Sequence, residues 1–133
     1  MTVSDFCLSS VAIYFCCEGL TLIFLCPRTE YDGLLLTLAH DLGKRLLPAF
    51  DTKTGIPFGT VNLLHGIPPG ETTVASLAGA GTLSIEMELL SRLTGDESFG
   101  MAAKLAMRAL WIRRSPENLV GKHIDVHTGC VSY

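Results

Sequence analysis

The stretch that decides the fold is VASLAGAGTLSIEMELLSRLTGDESFGMAAKLAMRAL, residues 74–110. Apolar residues recur at helical spacing in its first half, which predicts a helix over about residues 72–93. The predicted apolar face of that helix consists of Val74, Leu77, Ala78, Gly81, Ile85 and Leu89. Gly95 is placed to end the helix as a left-handed cap residue, and Asp96 can cap the next one. Two helices joined by such a tight turn are expected to form an αα-hairpin.

The second half of the stretch predicts another helix, followed by a strand. The apolar stripe of this helix is formed by Phe99, Ala102, Ala103, Ala106 and Leu110. Ser115-Pro116 marks its exit, because the residue before a proline disfavours the helical conformation. The tail LVGKHIDVHTG, residues 119–129, then alternates in strand fashion, with Ile124 and Val126 on the apolar side. We therefore expect helix, tight turn, helix and a short hairpin-like element.

Upstream of this unit the pattern is helical and then irregular. Leucines recur at helical spacing over residues 30–47, and Pro48 ends or kinks that pattern. Residues 51–70 hold four glycines and three prolines, which predicts a long connection with a short strand around residues 60–63. The expected fold class is all-α, with short β-hairpin elements in the connections.

Composition narrows the range of functions. The chain has 133 residues and a formal net charge of −3, so it forms one domain at most and has no basic stripe to neutralise nucleic-acid phosphates. Its mean hydropathy of +0.39 excludes disorder. Only 17% of the residues are charged, which indicates a membrane segment or apolar surface that other parts of a larger protein cover.

Residues 6–26, FCLSSVAIYFCCEGLTLIFLC, form a hydrophobic segment about as long as a transmembrane helix. Glu18 at its centre is unfavourable for such a helix. Three interpretations stay open: a signal or anchor sequence giving membrane attachment, a buried helix or strand, or a segment foreign to the fold. Four of the five cysteines lie here, and an odd number cannot pair fully within one chain.

Glu86 is the leading candidate for chemistry. It lies in mid-helix between Ile85 and Met87, and a carboxyl group among apolar neighbours suits a general acid. Glu88 lies about 200° further around the helix, so the two carboxyl groups cannot share a face and one should point to solvent. Alternatively, both are ordinary surface glutamates, since Glu favours helices.

Histidines provide weaker candidates. His123, Asp125 and His127 form H-x-D-x-H, and on a strand all three would project from one face, where they could bind zinc. The alternative is a polar, solvent-facing strand edge. His40 and its neighbour Asp41 could form a base and its orienting carboxylate, or both could belong to the polar face of the first helix.

Three separated blocks resemble glycoside hydrolase family 47, in the order expected for that family. They are LLPAFDTKTGIPFGTVNLLHGIPPGET, AGAGTLSIEMELLSRLTGD and LVGKHIDVHTG, and the resemblance covers roughly residues 33–129. The sequence AGAGT is similar to the branch of ER degradation-enhancing α-mannosidase-like proteins. Processing mannosidases usually carry an acidic residue where Gly79 stands.

The resemblance implies a fold, an activity and a set of site residues. It implies part of an α/α barrel of seven helical hairpins, and an inverting enzyme that removes terminal α-1,2-linked mannose. Glu86 is implied as the catalytic acid, and Asn62 and His65 as contacts on the sugar-binding face. Calcium is implied as a cofactor, with no ligand assigned within this chain. The implied partners are high-mannose N-glycans on misfolded glycoproteins, in ER-associated degradation in the endoplasmic reticulum.

Other features depart from the family. Ser76 stands where this branch commonly has cysteine, so a disulfide made there would be lost. Residues 1–29 do not resemble the usual upstream sequence, which leaves residues 30–133 as a partial catalytic domain. The other catalytic carboxylates and the calcium-binding threonine have no counterpart. The expectation is a truncated product holding about two of the seven hairpins, and the alternative function is a non-catalytic helical interaction module.

We therefore expect this polypeptide alone to hydrolyse no α-1,2-mannoside, because an inverting glycosidase needs a base as well as an acid. Incubation with a high-mannose N-glycan, followed by quantification of free mannose, checks this. Measurable release that Glu86→Gln abolishes would contradict the expectation.

Overall fold

The computed structural model of the protein describes residues 6–7 and 33–132. Over these ranges about half of the residues are helical, with short strands in the connections. The helices are α1 (Leu34–Leu46), a 3₁₀ turn (Leu47–Phe50), α2 (Leu77–Thr94) and α3 (Glu97–Trp111). The strands are β1 (Phe6–Cys7), β2 (Thr60–Val61), β3 (Val74–Ser76), β4 (His123–Asp125) and β5 (Val131–Ser132). The prediction of a helical domain with short β-elements is confirmed for these residues. A barrel is not visible in them.

The turn between α2 and α3 is formed as predicted. Gly95 adopts a left-handed conformation with φ 75°, and its amide donates to the carbonyl of Ser91. Asp96 is the N-cap of α3, where its carboxylate accepts from the amide of Ser98. Because two residues separate the helices, α2 and α3 pack side by side as an αα-hairpin.

The start of α2 differs from the prediction. Residues 74–76 form β3 and pair with β4, so the helix begins at Leu77 rather than near Thr72. Ser76 is the N-cap, and its hydroxyl oxygen accepts from the amide of Gly79 at 3.1 Å. This serine therefore fixes the first turn of the helix.

The buried face of α2 is also rotated relative to the predicted one. Its buried residues are Ala80, Leu83, Met87 and Leu90, which follow one helical stripe. The prediction that Ile85 lies in the core is wrong, since 74% of its surface is exposed. It lies about 200° around the helix from Leu83, on the side away from that stripe.

The first predicted helix is shorter than expected, and it packs closely on the hairpin. It spans Leu34–Leu46, and Pro48 lies in the 3₁₀ turn that follows. Gly43 is its point of closest approach. A Cβ built there would lie 2.5 Å from Leu90 Cδ2 and 2.9 Å from Phe99 Cε1. Phe99 is completely buried, so α1, α2 and α3 meet around its ring.

The strands close the N-terminal end of α2. The order β3-β4-β5 is antiparallel, with Ala75 opposite Ile124 and Ile124 opposite Val131. Ile124 and Val126 are buried as predicted, in a second cluster with Ala80 and Leu110. The predicted strand around residues 60–63 is confirmed as β2, which pairs with β1.

Most of the hydrophobic segment 6–26, with its proposed membrane attachment, lies outside the described residues. Within the two described ranges, no helix combines the length and apolarity needed to cross a membrane.

We expect Gly43→Ala to lower the free energy of unfolding, because an added methyl overpacks the junction of the three helices. Overpacking costs about 1–3 kcal/mol, against a gain of about 1 kcal/mol in helix propensity. Urea unfolding followed by circular dichroism measures the difference.

Gly81→Ala is the matched control, since its added Cβ would lie 3.8 Å from Leu110 Cδ1, an ordinary contact. It should be neutral or stabilising. A Gly43→Ala variant as stable as this control would contradict the close approach of α1.

Candidate functional site

Glu86 lies beside the buried stripe of α2, between core and solvent. The residue is half-buried, and its Oε2 atom is shielded from solvent. This oxygen accepts no hydrogen bond from any residue that the structure describes. A shielded carboxylate oxygen without a donor is unfavourable by about 1–3 kcal/mol, and such atoms in native proteins call for an explanation such as a catalytic role.

Glu88 has a different environment. Its Oε1 accepts from Arg92 at 3.1 Å, and its Oε2 lies 3.6 Å from Lys104 Nζ on α3. The hydrogen bond from Arg92 lowers the pKa of Glu88 below its ordinary value. The prediction that the two carboxyl groups occupy different faces is confirmed. Glu88 belongs to an exposed ion-pair network that links the hairpin, and Glu86 does not.

Asn62 and His65 lie in the turn after β2. Asn62 Oδ1 accepts from the amides of Leu64 at 2.9 Å and His65 at 3.0 Å, and the backbones of Asn62 and Gly66 bond to each other. The Asn62 oxygen therefore shapes the turn, while the His65 side chain is exposed. Among the described residues, no hydrogen bond joins either side chain to Glu86.

The H-x-D-x-H residues do not converge on one point. The Asp125 carboxylate accepts from Thr73 Oγ1 at 2.6 Å, from Thr128 Oγ1 at 2.9 Å, and from the amides of Thr128 and His127. The His127 ring meets Phe58 edge to face, 5.5 Å between centroids. Asp125 thus links the residue before β3 to the turn after β4. These contacts do not support the zinc hypothesis.

Asp41 is not the partner of His40. The His40 Nε2 atom lies 3.3 Å from Asp96 Oδ2, while Asp41 pairs with Arg45 at 2.8 Å. Lys44 also approaches Asp96, at 3.8 Å. Hydrogen bonds from Ser98, followed by His40 and the charge of Lys44, lower the pKa of Asp96. The predicted base–carboxylate pair is instead a link between α1 and the N-cap of α3.

Calcium prefers six to eight oxygen ligands. Within the described part of the chain, no group of three or more His, Cys, Asp or Glu side chains is arranged to hold a metal ion. No ligand for the calcium that the family resemblance implies is therefore assigned among these residues.

Several known proteins that resemble this chain are named as mannosidases or mannosidase-like proteins. The sequence model of glycosyl hydrolase family 47 matches residues 4–132. Alpha-mannosidase I MNS4 of Arabidopsis thaliana is 57% identical over 100 residues, 75% of this chain and 16% of that protein. ER degradation-enhancing alpha-mannosidase-like protein 2 of Homo sapiens is 55% identical over 98 residues, 74% of this chain and 17% of that protein. The chain thus spans about a sixth of the length of these curated relatives.

A solved structure resembles the same part of the chain. The alpha-1,2-mannosidase from Trichoderma reesei matches with a TM-score of 0.65 at 26% sequence identity. The match covers 74% of this chain and 21% of that one.

The donors around Asp125 predict an acid-sensitive fold. The hydroxyl of Thr73, then the donors of Thr128 and His127, hold the pKa of Asp125 well below its usual range. A carboxyl with a lowered folded pKa stabilises the fold above its unfolded pKa of about 4, and this contribution is lost as the pH falls below that value. The free energy of unfolding should therefore fall more steeply between about pH 5 and pH 2 in the wild type than in Asp125→Asn.

Urea unfolding at several pH values measures these slopes. Asp51→Asn, at an exposed position, is the control and should keep the wild-type slope. Parallel curves for wild type and Asp125→Asn would contradict the assigned role.

Proposed function

Because the chain belongs to glycosyl hydrolase family 47, we propose that it presents the general acid of an α-1,2-mannosidase and that Glu86 is this acid. The reaction requires one carboxyl group to protonate the leaving glycosidic oxygen and a second to activate water. In inverting enzymes the two groups stand about 6.5–9.5 Å apart. Glu86 is assigned the first task, and the base is left unassigned.

The observation that supports Glu86 is the shielding of its Oε2 atom. This oxygen has no protein donor among the described residues, so a hydrogen bond to a ligand would replace no existing bond within the protein. Because the atom is shielded, the side chain has to turn towards the ligand before that bond forms. Glu88 is a poorer candidate because Arg92 and Lys104 stabilise its ionised form, and an ionised carboxylate has no proton to donate.

Asn62 and His65 are proposed to contact the sugar. The turn that carries them is held by its own hydrogen bonds, so the exposed imidazole of His65 and the amide nitrogen of Asn62 are available for a ligand's hydroxyl groups. Their role is to orient the glycan, and not to transfer a proton.

The names of the similar proteins support proposals for the substrate and the cellular location of the whole enzyme. We propose high-mannose N-glycans on misfolded glycoproteins as substrates, calcium as the cofactor of the whole enzyme, and the endoplasmic reticulum as its location. We also propose that residues 30–133 form part of a seven-hairpin α/α barrel and that residues 1–29 form a hydrophobic segment. The α2–α3 hairpin and the similarity to the Trichoderma reesei enzyme support the barrel.

A non-catalytic interaction module is the second candidate. Large apolar side chains are exposed on two sides of α3, which suits surfaces that a partner covers: Met101 and Leu105 on one side, Met107 and Trp111 on another. A sharp, cooperative unfolding transition of the isolated chain would favour this alternative, whereas a molten, aggregating product would favour part of a larger domain.

A chimera tests the catalytic assignment. In Arabidopsis alpha-mannosidase I MNS4, the matching 100 residues are replaced by those of this chain. Mannose release from a high-mannose N-glycan is then measured. The chimera should be active, and Glu86→Gln should lower kcat by about 10²–10⁴-fold, the usual contribution of a general acid.

Glu88→Gln is the matched control, since it makes the same chemical change on the same helix. It should leave kcat within a few-fold of the unmodified chimera. A Glu86→Gln chimera with full activity, or a larger loss in Glu88→Gln, would overturn the proposal.

A further inference from the structure

The outward face of α3 is more apolar than is usual for a helix on a protein surface. A surface helix normally carries charged and polar residues on the side opposite its buried stripe. After the first turn of α3, large apolar side chains and two cations make up the exposed residues of the helix and its C-cap: Met101, Lys104, Leu105, Met107, Arg108, Trp111 and Ile112. Exposed apolar patches of this kind mark sites where a protein meets a partner or a membrane.

Cations predominate along α3 and the residues that follow it. Residues 98–116 contain four basic residues and no acidic one, although the whole chain has 13 acidic and 10 basic residues. The net charge of −3 therefore conceals a local excess of positive charge. Lys104 Nζ lies 3.6 Å from Glu88 Oε2, whereas Arg108 forms no ion pair with the residues that the structure describes. Arg108 lies between Met101 and Trp111 around the helix, near the centre of the exposed face.

Trp111 is held at the C-terminal end of this face by a neighbouring cation. The guanidinium carbon of Arg114 lies 4.3 Å from the centroid of the Trp111 ring. Arg114 also donates from Nε to Asn118 Oδ1 and from Nη1 to the carbonyl of Trp111, both at 2.8 Å. The loop after α3 thus fixes an exposed ring beside a positive charge. Tryptophan is enriched where proteins meet the boundary between lipid and water, because its ring is apolar and its N–H group is polar.

The combination of apolar side chains and cations favours one kind of partner. A second copy of this chain that packed on the same face around a two-fold axis would bring like cations towards one another, and these repel. A nucleic acid is bound chiefly through its phosphates, and the apolar side chains of this face outnumber its cations. An anionic lipid surface suits both features, since apolar side chains enter the headgroup boundary and cations attract the headgroups.

We propose that the outward face of α3 docks the protein on the surface of a membrane that contains anionic lipid. The helix lies parallel to the bilayer, with its exposed apolar side chains in the boundary between headgroups and acyl chains. Arg108 lies among the anionic headgroups, and Trp111 lies at the boundary itself. This surface is distinct from residues 6–26. The inference goes beyond the proposed function and does not depend on the assignment of Glu86.

Fluorescence of Trp111 tests the inference at the surface concerned, because Trp111 is the only tryptophan of the chain. The full chain is titrated with vesicles of phosphatidylcholine that contain about 30% phosphatidylserine, and separately with vesicles of phosphatidylcholine alone. The anionic vesicles should shift the emission to shorter wavelength and shield the ring from acrylamide, because the ring enters an apolar environment. Vesicles of phosphatidylcholine alone should bind about tenfold more weakly.

Two variants at exposed positions separate the roles of charge and apolar surface. Arg108→Gln should weaken binding to the anionic vesicles about fivefold, the usual contribution of one cation near a charged bilayer. Ile112→Ser should weaken it about tenfold, because an apolar side chain no longer enters the lipid. Leu64→Ser is the matched control, since Leu64 is 70% exposed in the turn after β2, and it should bind like the wild type. Circular dichroism checks that each variant is folded.

Several results would overturn the inference. Vesicle binding without a change in Trp111 emission would assign the binding to another part of the chain. Unchanged affinity in both Arg108→Gln and Ile112→Ser, or equal affinity for the two kinds of vesicle, would remove the role of this face. An emission shift that depends on protein concentration and needs no vesicles would identify a contact between copies of the chain.

The MNS4 chimera extends the test to a full-length enzyme. It should bind the anionic vesicles in flotation experiments, and Ile112→Ser should weaken that binding. A chimera that does not bind would show that other parts of the enzyme cover α3, and would overturn the inference. Vesicle binding does not require catalysis, so the activity of the chimera and of its Glu86→Gln variant bears on the proposed function alone.

Discussion

The rotation of α2 about its own axis is the constraint on which the candidate site depends. The helix is held by one buried stripe, Ala80, Leu83, Met87 and Leu90, which packs against α1 and α3. Once this stripe is buried, the two carboxyl groups two residues apart must differ. Glu86 falls at the edge of the stripe, with one oxygen shielded from water, whereas Glu88 falls among the cations of the outer surface. The core thus sets which glutamate has a shielded oxygen and which one pairs with cations.

The contacts that hold this rotation come from distant parts of the chain. From α1, Gly43 allows a close approach to Leu90, one turn beyond Glu86. At the other end, Ser76 caps the helix, and β3 pairs with β4, so that the first turn is fixed in place. Both ends of α2 are therefore anchored, and its middle carries the proposed acid.

Local sequence patterns predicted those features of the fold that depend on interactions between residues close together in the chain. The turn at Gly95 and Asp96 was predictable, because a left-handed cap and a helix N-cap need particular residues. The strand character around Ile124 also followed from alternation. The sequence could not indicate that residues 74–76 leave the helix, since their pairing partners lie about 50 residues further on. Periodicity likewise assigned Ile85 to the core, because many residues of α2 are small or apolar and several phases fit.

Some features of the candidate site can be predicted from local spacing, and others cannot. Helical spacing alone established that Glu86 and Glu88 cannot share a face, but the choice of Glu86 came from the resemblance to the family. His40 was paired with its neighbour Asp41, whereas its partner is Asp96, which only the packing of α1 on α3 brings near. The spacing of Asp125 from two histidines predicts a metal ligand, yet its carboxylate oxygens accept hydrogen bonds from Thr73 and Thr128.

A crystal structure of the MNS4 chimera carrying Glu86→Gln, with α-1,2-linked mannobiose bound, tests directly whether the side chain at position 86 meets the bond that is cleaved. The side-chain amide at position 86 should lie within about 2.6–3.2 Å of the glycosidic oxygen, while Glu88 remains paired with Arg92 and Lys104. A glycosidic oxygen bound instead at Glu88, or at a carboxyl group elsewhere with position 86 turned away from the sugar, would contradict it.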